Sequence, residues 1–246
     1  TAHSNIWQGR IDPQFQCVSE KFWDWWMPES GRVGIPEEAF EDLRHYIDTV
    51  QGFQPVFIKR EGRPIIVSEQ YETFEDLFTA DQVVGHDLST GQEVAYAPTA
   101  ADFDLHSTCY WYNARISSYY TVENRVNDQQ PPEDLICIAA LTLGLVSAAS
   151  EANEEILSAD WGMLREMREA ACRHGLQARV GSDGVRDLAG LMLEFAHHGL
   201  RKRDLGEERF LSPLYARLEQ KRNPADETAQ IFRAGGIASL LEARRI

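Results

Sequence analysis

The run Tyr119-Tyr120-Thr121-Val122-Glu123-Asn124-Arg125-Val126-Asn127-Asp128, followed by Gln129-Gln130-Pro131-Pro132, separates two kinds of sequence. From Ser117 onward, Tyr119, Thr121, Glu123, Arg125 and Asn127 alternate with Tyr120, Val122, Asn124 and Val126. That is the period of a strand, whose side chains point to opposite faces in turn. After the two prolines the spacing of apolar residues turns helical. It predicts helices over 133–149, 151–156, 160–174, 184–202, 207–221 and 225–242. Ser182-Asp183 is the expected N-cap of the fourth, and Arg201-Lys202-Arg203 suits the negative end of its dipole. Gly235-Gly236 is expected to separate two helices. Strands first and helices afterwards imply an α+β fold rather than a doubly wound sheet. The chain accordingly divides into a mixed part, 1–128, carrying the candidate strand, and a helical part, 129–246.

Toward the N-terminus, Phe15, Val18, Phe22, Trp25 and Trp26 predict a helix over 14–26, opened by Asp12-Pro13 and closed by Pro28. Trp23, Trp25 and Trp26 are expected to pack inward, the alternative being a face that stacks on a ligand. A second helix is expected over 37–50, with Pro36 at its first turn. Two short apolar runs, 55–59 and 64–67, flank Glu61-Gly62-Arg63 and predict a hairpin. Thr73 stands three residues before Asp76, a capping pattern for a short helix to Phe78. Residues 79–104 read as acidic and turn-rich. Tyr110-Trp111-Tyr112 and Tyr119-Tyr120 are expected to pack in a sheet.

Lys plus Arg number 24 against 39 Asp plus Glu, a net charge of −15. Such a balance argues against wrapping nucleic acid or resting on an anionic membrane, because phosphates recruit Lys and Arg. It leaves room for nucleotides, whose few phosphates a metal and local arginines can hold. The acidity is concentrated early: residues 1–128 carry 9 basic and 21 acidic side chains, and 129–246 carry 15 and 18. The chain opens Thr1-Ala2-His3-Ser4 without Met or a signal pattern, as expected either where residues have been removed or of a piece of a longer protein. The longest apolar run, Leu135 to Ala149, is short for a membrane span and reads as a buried helix. Cys17, Cys109, Cys137 and Cys172 show no metal or redox spacing, so reduced thiols and a cytoplasmic location are expected. The histidines never fall four apart on one helix, which disfavours a histidine metal site.

Chemistry concentrates on Glu123 and Arg125. A carboxylate can ligate Mg2+ as a hard oxygen donor. A guanidinium two residues on can hold a phosphoryl group through parallel N–H bonds. The plain alternative is a solvent-facing ion pair of little worth. Gly181-Ser182-Asp183-Gly184 lacks the Lys and the length of a phosphate-binding loop and reads as a helix start.

The run Thr121 to Asp128, with Arg115 upstream, resembles the T-x-E-x-R-x-x-D strand of the glutamate–cysteine ligase and carboxylate–amine ligase superfamily. Asn5-Ile6-Trp7-Gln8-Gly9-Arg10 resembles that family's N-S-P-x-W-x-G-(R/K) loop. Arg32-x-Gly34-x-Pro36 resembles R-x-G-x-x-P, and Tyr46-Ile47-Asp48 with Pro55-Val56-Phe57 resembles Y-x-D…P-x-x-F. His106-Ser107-Thr108 is similar to the H-L-T-T entry to the strand pair. Arg186-Asp187, Gly199-Leu200, Phe210-Leu211 and Pro224-Ala225-Asp226 are similar to parts of the family's helical C-terminus. The pieces keep their order along the whole chain.

The resemblance implies part of a glutamine-synthetase-like antiparallel sheet, open to ligands on one face and followed by a helical C-terminal segment. It implies ligation of the glutamate side-chain carboxylate to an amine, cysteine by default, through an acyl phosphate formed from ATP. Glu123 would ligate Mg2+, Arg125 would hold the transferring phosphoryl, and Arg115 would contact phosphate or carboxylate. His106 matches in position without an assigned role. Both parts would belong to one catalytic domain. Its N-terminal strands and most metal-binding carboxylates would lie in a missing portion of the same protein or in a separate subunit, leaving this stretch alone inactive. Two departures bear on the amine: His3-Ser4-Asn5-Ile6 replaces Asn-Ser-Pro, and Ser19 is followed by Glu20-Lys21 where the family has S-x-R. Lys21 lacks the planar grip of Arg. The alternatives are a non-catalytic partner or regulatory relative, and a carboxylate–amine ligase using a non-cysteine amine.

Overall fold

Glu61 and Gly62 both take left-handed backbone angles, with φ of 50° and 78°. Two such residues in succession twist a tight turn the way paired strands twist, so they join Phe57–Arg60 to Arg63–Ile66 as the expected hairpin. The computed structural model describes residues 4–27, 31–67, 69–117 and 119–245. In chain order the strands are β1 (Ile6–Trp7), β2 (Arg10–Ile11), β3 (Val33–Gly34), β4 (Phe57–Arg60), β5 (Arg63–Ile66), β6 (Val83–Asp87), β7 (Glu93–Tyr96), β8 (Trp111–Tyr112), β9 (Ala114–Ile116), β10 (Val122–Asn124), β11 (Arg179–Val180) and β12 (Asp183–Gly184). The helices are α1 (Val18–Trp26), α2 (Leu43–Gln51), α3 (Phe74–Thr79), α4 (Ala100–His106), α5 (Leu135–Ser147), α6 (Ala149–Leu157), α7 (Trp161–His174), α8 (Val185–Arg203), α9 (Ser212–Gln220) and α10 (Pro224–Ala243). Helix outweighs strand, 53% to 15%, so the fold is mixed helix and sheet with the sheets as minor elements.

Backbone contacts group the chain into two compact units, 31–123 and 1–30 with 124–246. The change of sequence character near residue 128 lies close to the junction at 123/124. The junction at 30/31 leaves no mark in composition, and the first thirty residues group with the helices.

In unit 31–123, β4, β5, β6 and β7 form an antiparallel meander in that order. Its buried face is Ile58, Ile65, Val67 and Val83, closed over by Phe74 and Leu77 of α3. Thr73 and Asp76 exchange side-chain and backbone bonds in a full capping box, as expected. Residues 79–104 are more ordered than their composition implies, holding β6, β7 and α4. The helix expected from Glu37 begins only at Leu43, because Asp42 rather than Pro36 caps it, its carboxylate accepting from His45 N at 2.8 Å. Tyr110 and Tyr112 are buried with Val50, but Tyr119 and Tyr120 are 85% and 89% exposed and take no part in a core. The strands form separate small sheets rather than one, and β3 pairs with β8 in parallel.

In the other unit, α5 and α8 pack around Cys137, Ala140, Leu193, Ala196 and Leu200. They cross at glycines. A Cβ on Gly144 would meet the Ala196 carbonyl at 2.3 Å, and one on Gly199 would meet the Gly144 carbonyl at 2.1 Å. Helix α8 starts from Gly184, not from a Ser182-Asp183 cap, because Asp183-Gly184 pair back onto Arg179-Val180. Its basic last turn is as expected. Gly235 and Gly236 break the helical angles inside α10, separating two helical segments.

Helix α1 starts four residues later than its spacing suggests. Asp12 caps a turn over the amides of Gln14 and Phe15, but the amides of Gln16 and Cys17 then turn to the Cys172 carbonyl, at 2.8 and 3.1 Å. Pro28, its expected terminator, and Thr1 to His3 lie outside the described residues. Only part of its aromatic stripe turns inward, since Trp25 and Trp26 are 48% and 53% exposed. Among the described residues no single helix is long and apolar enough to cross a membrane.

Candidate functional site

Strands β9 and β10 form a two-stranded ribbon. The turn between them is closed by Ser117 N–H donating to Thr121 O and by contact of the two hydroxyls, both at 2.8 Å. Tyr120 takes the left-handed angle, φ 57°, that this turn needs. Folding back at Ser117–Thr121 brings Arg115 and Glu123 side by side. Arg115 Nε donates to Glu123 Oε2 at 2.8 Å.

The two partners of this pair sit in different surroundings. The Arg115 side chain is 13% exposed, whereas that of Glu123 is 44% exposed. Arg115 Nη1 also donates to the carbonyls of Thr108 at 2.7 Å and Tyr110 at 3.3 Å, and its guanidinium lies over the Tyr110 ring. A cation fixed from behind by two carbonyls and a ring has little freedom left. Glu123 is therefore an exposed carboxylate on a fixed cationic mount.

The alternating strand does not continue as far as its sequence suggests. Asn124 ends it: its side-chain oxygen accepts from Val126 N at 3.2 Å, and its amide donates to Thr142 Oγ1 of α5 at 3.2 Å. Asn bonding to nearby backbone competes with a strand ladder. Arg125 follows the strand and is half-buried. Glu123 and Arg125 are thus not neighbours on one regular strand face. Asp128, at the far end of the run, accepts from Ser19 Oγ at 2.8 Å and from the Cys17 thiol at 3.7 Å.

Inside the unit made of 1–30 and 124–246, a cleft of about 680 Å3 lies between the segment from Asn124 to Gln130 and α5. Asn124, Asn127 and Gln129 line one side, and Ile138, Ala139 and Leu143 line the other. Its size is in the range of small-molecule pockets, and its walls combine amide groups with an apolar floor. Sequence reading passes over it, because α5 looks like a helix buried all round, and only Thr142 marks its polar side.

His106 is a packing residue. It ends α4, stacks on Phe74 at 4.5 Å, and its Nε2 lies 2.7 Å from the Val50 carbonyl. Burial pushes its pKa down to about 4, with the Val50 bond opposing and Arg32 assisting. A neutral, buried ring of this kind ties α4 to Phe74 of α3 and to Val50 of α2.

Among the described residues of the ribbon, Glu123 is the one carboxylate donor. Among the described residues no group of three His, Cys, Asp or Glu is placed to hold a metal ion. A single carboxylate fits a Mg2+ that draws its remaining ligands from water and substrate phosphates, the habit of Mg2+ bound with nucleotides. No protein-family model matches the sequence, and no curated protein matches it.

Proposed function

We propose that this chain is the C-terminal portion of an ATP- and Mg2+-dependent ligase of the glutamate–cysteine ligase type, acting in the cytoplasm. It would join the glutamate side-chain carboxylate to a small amine. The observation that carries the reading is the Arg115–Glu123 pair, in which an exposed carboxylate of the T-x-E-x-R-x-x-D run stands on an anchored arginine. In this reading β9 and β10 belong to a glutamine-synthetase-like sheet completed by strands outside this sequence.

Bound Mg2+ would neutralise phosphate charge, with Glu123 as one oxygen donor. Arg125 would hold the transferring phosphoryl through its planar N–H fork. Arg115 would position Glu123 and share its charge with phosphate or carboxylate on the ligand. Phosphoryl transfer needs mainly positioning and charge neutralisation, so residues of these types suffice for the chain's share of it.

A non-catalytic relative is the second reading, favoured by the same pair, because Glu123 already has a cationic partner. The two readings part in one experiment: glutamate-dependent ADP release by the full-length protein with a panel of amines. Release that falls by about 100-fold or more in Glu123→Ala and Arg125→Ala, the scale of losing a transition-state charge contact, supports the ligase. Unchanged activity in both variants removes the site assignment. No glutamate-dependent release with any amine removes the enzyme.

A further inference from the structure

Cys17 and Cys172 lie 155 positions apart in the sequence, yet they meet where the chain enters α1 and α7 ends. The Cys17 amide donates to the Cys172 carbonyl at 3.1 Å, and the Gln16 amide donates to the same oxygen at 2.8 Å. Bond lengths then keep the two Cα atoms within about 7 Å of each other. A disulfide spans Cα separations of about 4.4–6.8 Å, so the backbone is already at bridging distance. The side chains follow: Cys172 is buried with Phe15 and Val18, and Cys17 packs against that cluster. Both thiols are free, Cys17 half-buried and Cys172 buried.

We propose that Cys17 and Cys172 are a redox-responsive pair that closes a disulfide on reaction with hydrogen peroxide. Cys17 is the half-buried member, so it meets the oxidant first. Its sulfur attacks a peroxide oxygen, the O–O bond breaks, and the departing oxygen leaves as water, giving a sulfenic acid on Cys17. The Cys172 sulfur then attacks Cys17, the S–O bond breaks, and hydroxide leaves with the Cys172 proton as a second water. Two thiols lose two electrons and one hydrogen peroxide becomes two waters.

The surroundings favour this order. Hydrogen bonding with Cys172 lowers the Cys17 thiol pKa, Ser19 and the Glu20 backbone lower it further, and burial and Asp128 oppose them. Its bond to Cys17 and its burial raise Cys172, which therefore keeps its proton until Cys17 has reacted. Thiolate character and access make the reactive member of such a pair. Closing the bridge also removes the thiol that donates to Asp128. The redox state is thereby felt at the end of the 121–128 run whether or not a ligand is bound there.

The test is peptide mapping of the full chain without reductant, after hydrogen peroxide and rapid alkylation. The expected product is a Cys17–Cys172 linked peptide, reversed by dithiothreitol. Cys17 should be consumed about tenfold faster than buried Cys137, in keeping with its exposure and thiolate character. Cys172→Ala should stop the reaction at a Cys17 sulfenic acid that dimedone traps, and Cys17→Ser should leave Cys172 alkylatable after denaturation. If Cys172→Ala does not fold, the wild-type linkage and Cys17→Ser decide alone. Cys17 and Cys172 remaining unlinked while other thiols oxidise, or Cys17 linking to Cys109 or Cys137, overturns the proposal.

Discussion

The contact between α1 and α7 and the β9–β10 ribbon each use arginine to hold carboxylates, with opposite consequences. At the first, Arg168 bonds Glu20 at 2.9 Å and Asp24 at 3.1 Å, and Lys21 bonds Asp24 and Glu169. The Arg168, Glu20 and Asp24 side chains are 15%, 19% and 22% exposed, so each charge depends on the others for what water no longer supplies. At the ribbon, Arg115 is equally shielded but its carboxylate faces solvent. The difference teaches that the first network holds its carboxylates away from water, while the second leaves its carboxylate 44% exposed.

Removing Arg168 is the harshest way to break that comparison. Arg168→Ala leaves Glu20 and Asp24 partly buried without their cation, and losing one member of a buried pair is strongly destabilising. Allowing for partial solvent access, the expected loss is about 2–4 kcal/mol, read from the denaturant midpoint at unchanged slope. Burial raises Asp24 and Glu169, but bonds from Arg168 to Asp24 and from Lys21 to both hold them below the usual carboxylate range. Their stabilisation is therefore full above the unfolded carboxylate pKa and lost as pH falls through the lower folded values. Acid scans of wild type and variant should converge as pH falls. Parallel curves would show that the network carries no net stability.

His106 asks whether burial, rather than the unit a residue belongs to, sets these costs. It lies in the same unit as Arg115 and Glu123 but is 3% exposed. Its folded pKa, about 4, lies below its ordinary value of 6.5. Stability is therefore full above pH ~6.5 and falls as pH drops through about 4, by roughly 3 kcal/mol in all. A histidine titration followed by NMR should show the His106 ring still neutral at pH 5, and His106→Gln should flatten this part of the stability profile. A His106 ring that titrates near 6.5 would put it in contact with solvent.

Elements defined by neighbours in sequence were legible in advance, and those defined by distant partners were not. Thr73 and Asp76 cap each other, and Glu61-Gly62 carry their own turn geometry, so α3 and the β4–β5 hairpin could be read directly. Strand β6 could not, because Gly85 and Asp87 look like turn residues. Gly85 is required by its neighbours, since a Cβ there would meet the Ile66 carbonyl at 2.5 Å. Asp87 is tolerated inside because Arg63 bonds it at 3.0 Å. The start of α1 differs from its apolar spacing for the same reason: the Cys172 carbonyl that claims the Gln16 and Cys17 amides lies far along the chain. At the candidate site, residue types were readable but pairing was not. An alternating strand sets Glu123 beside Arg125, whereas the turn at Ser117–Thr121 sets it beside Arg115.

The smallest expected effect is the most informative about the ribbon. If Glu123 is held for chemistry rather than stability, its pair with Arg115 should contribute little to folding. A double-mutant cycle of Glu123→Gln and Arg115→Gln isolates that coupling. Exposed pairs usually yield about 0.2–1 kcal/mol, and the 44% exposure of Glu123 places this one in that class. Arg115→Gln alone should cost more than Glu123→Gln alone, because it also abandons the Thr108 and Tyr110 carbonyls and the Tyr110 ring. That asymmetry separates anchor from anchored group. A coupling as large as the cost of removing Arg168 would make Glu123 a structural carboxylate like Asp24 and would count against a role for it in ligand binding.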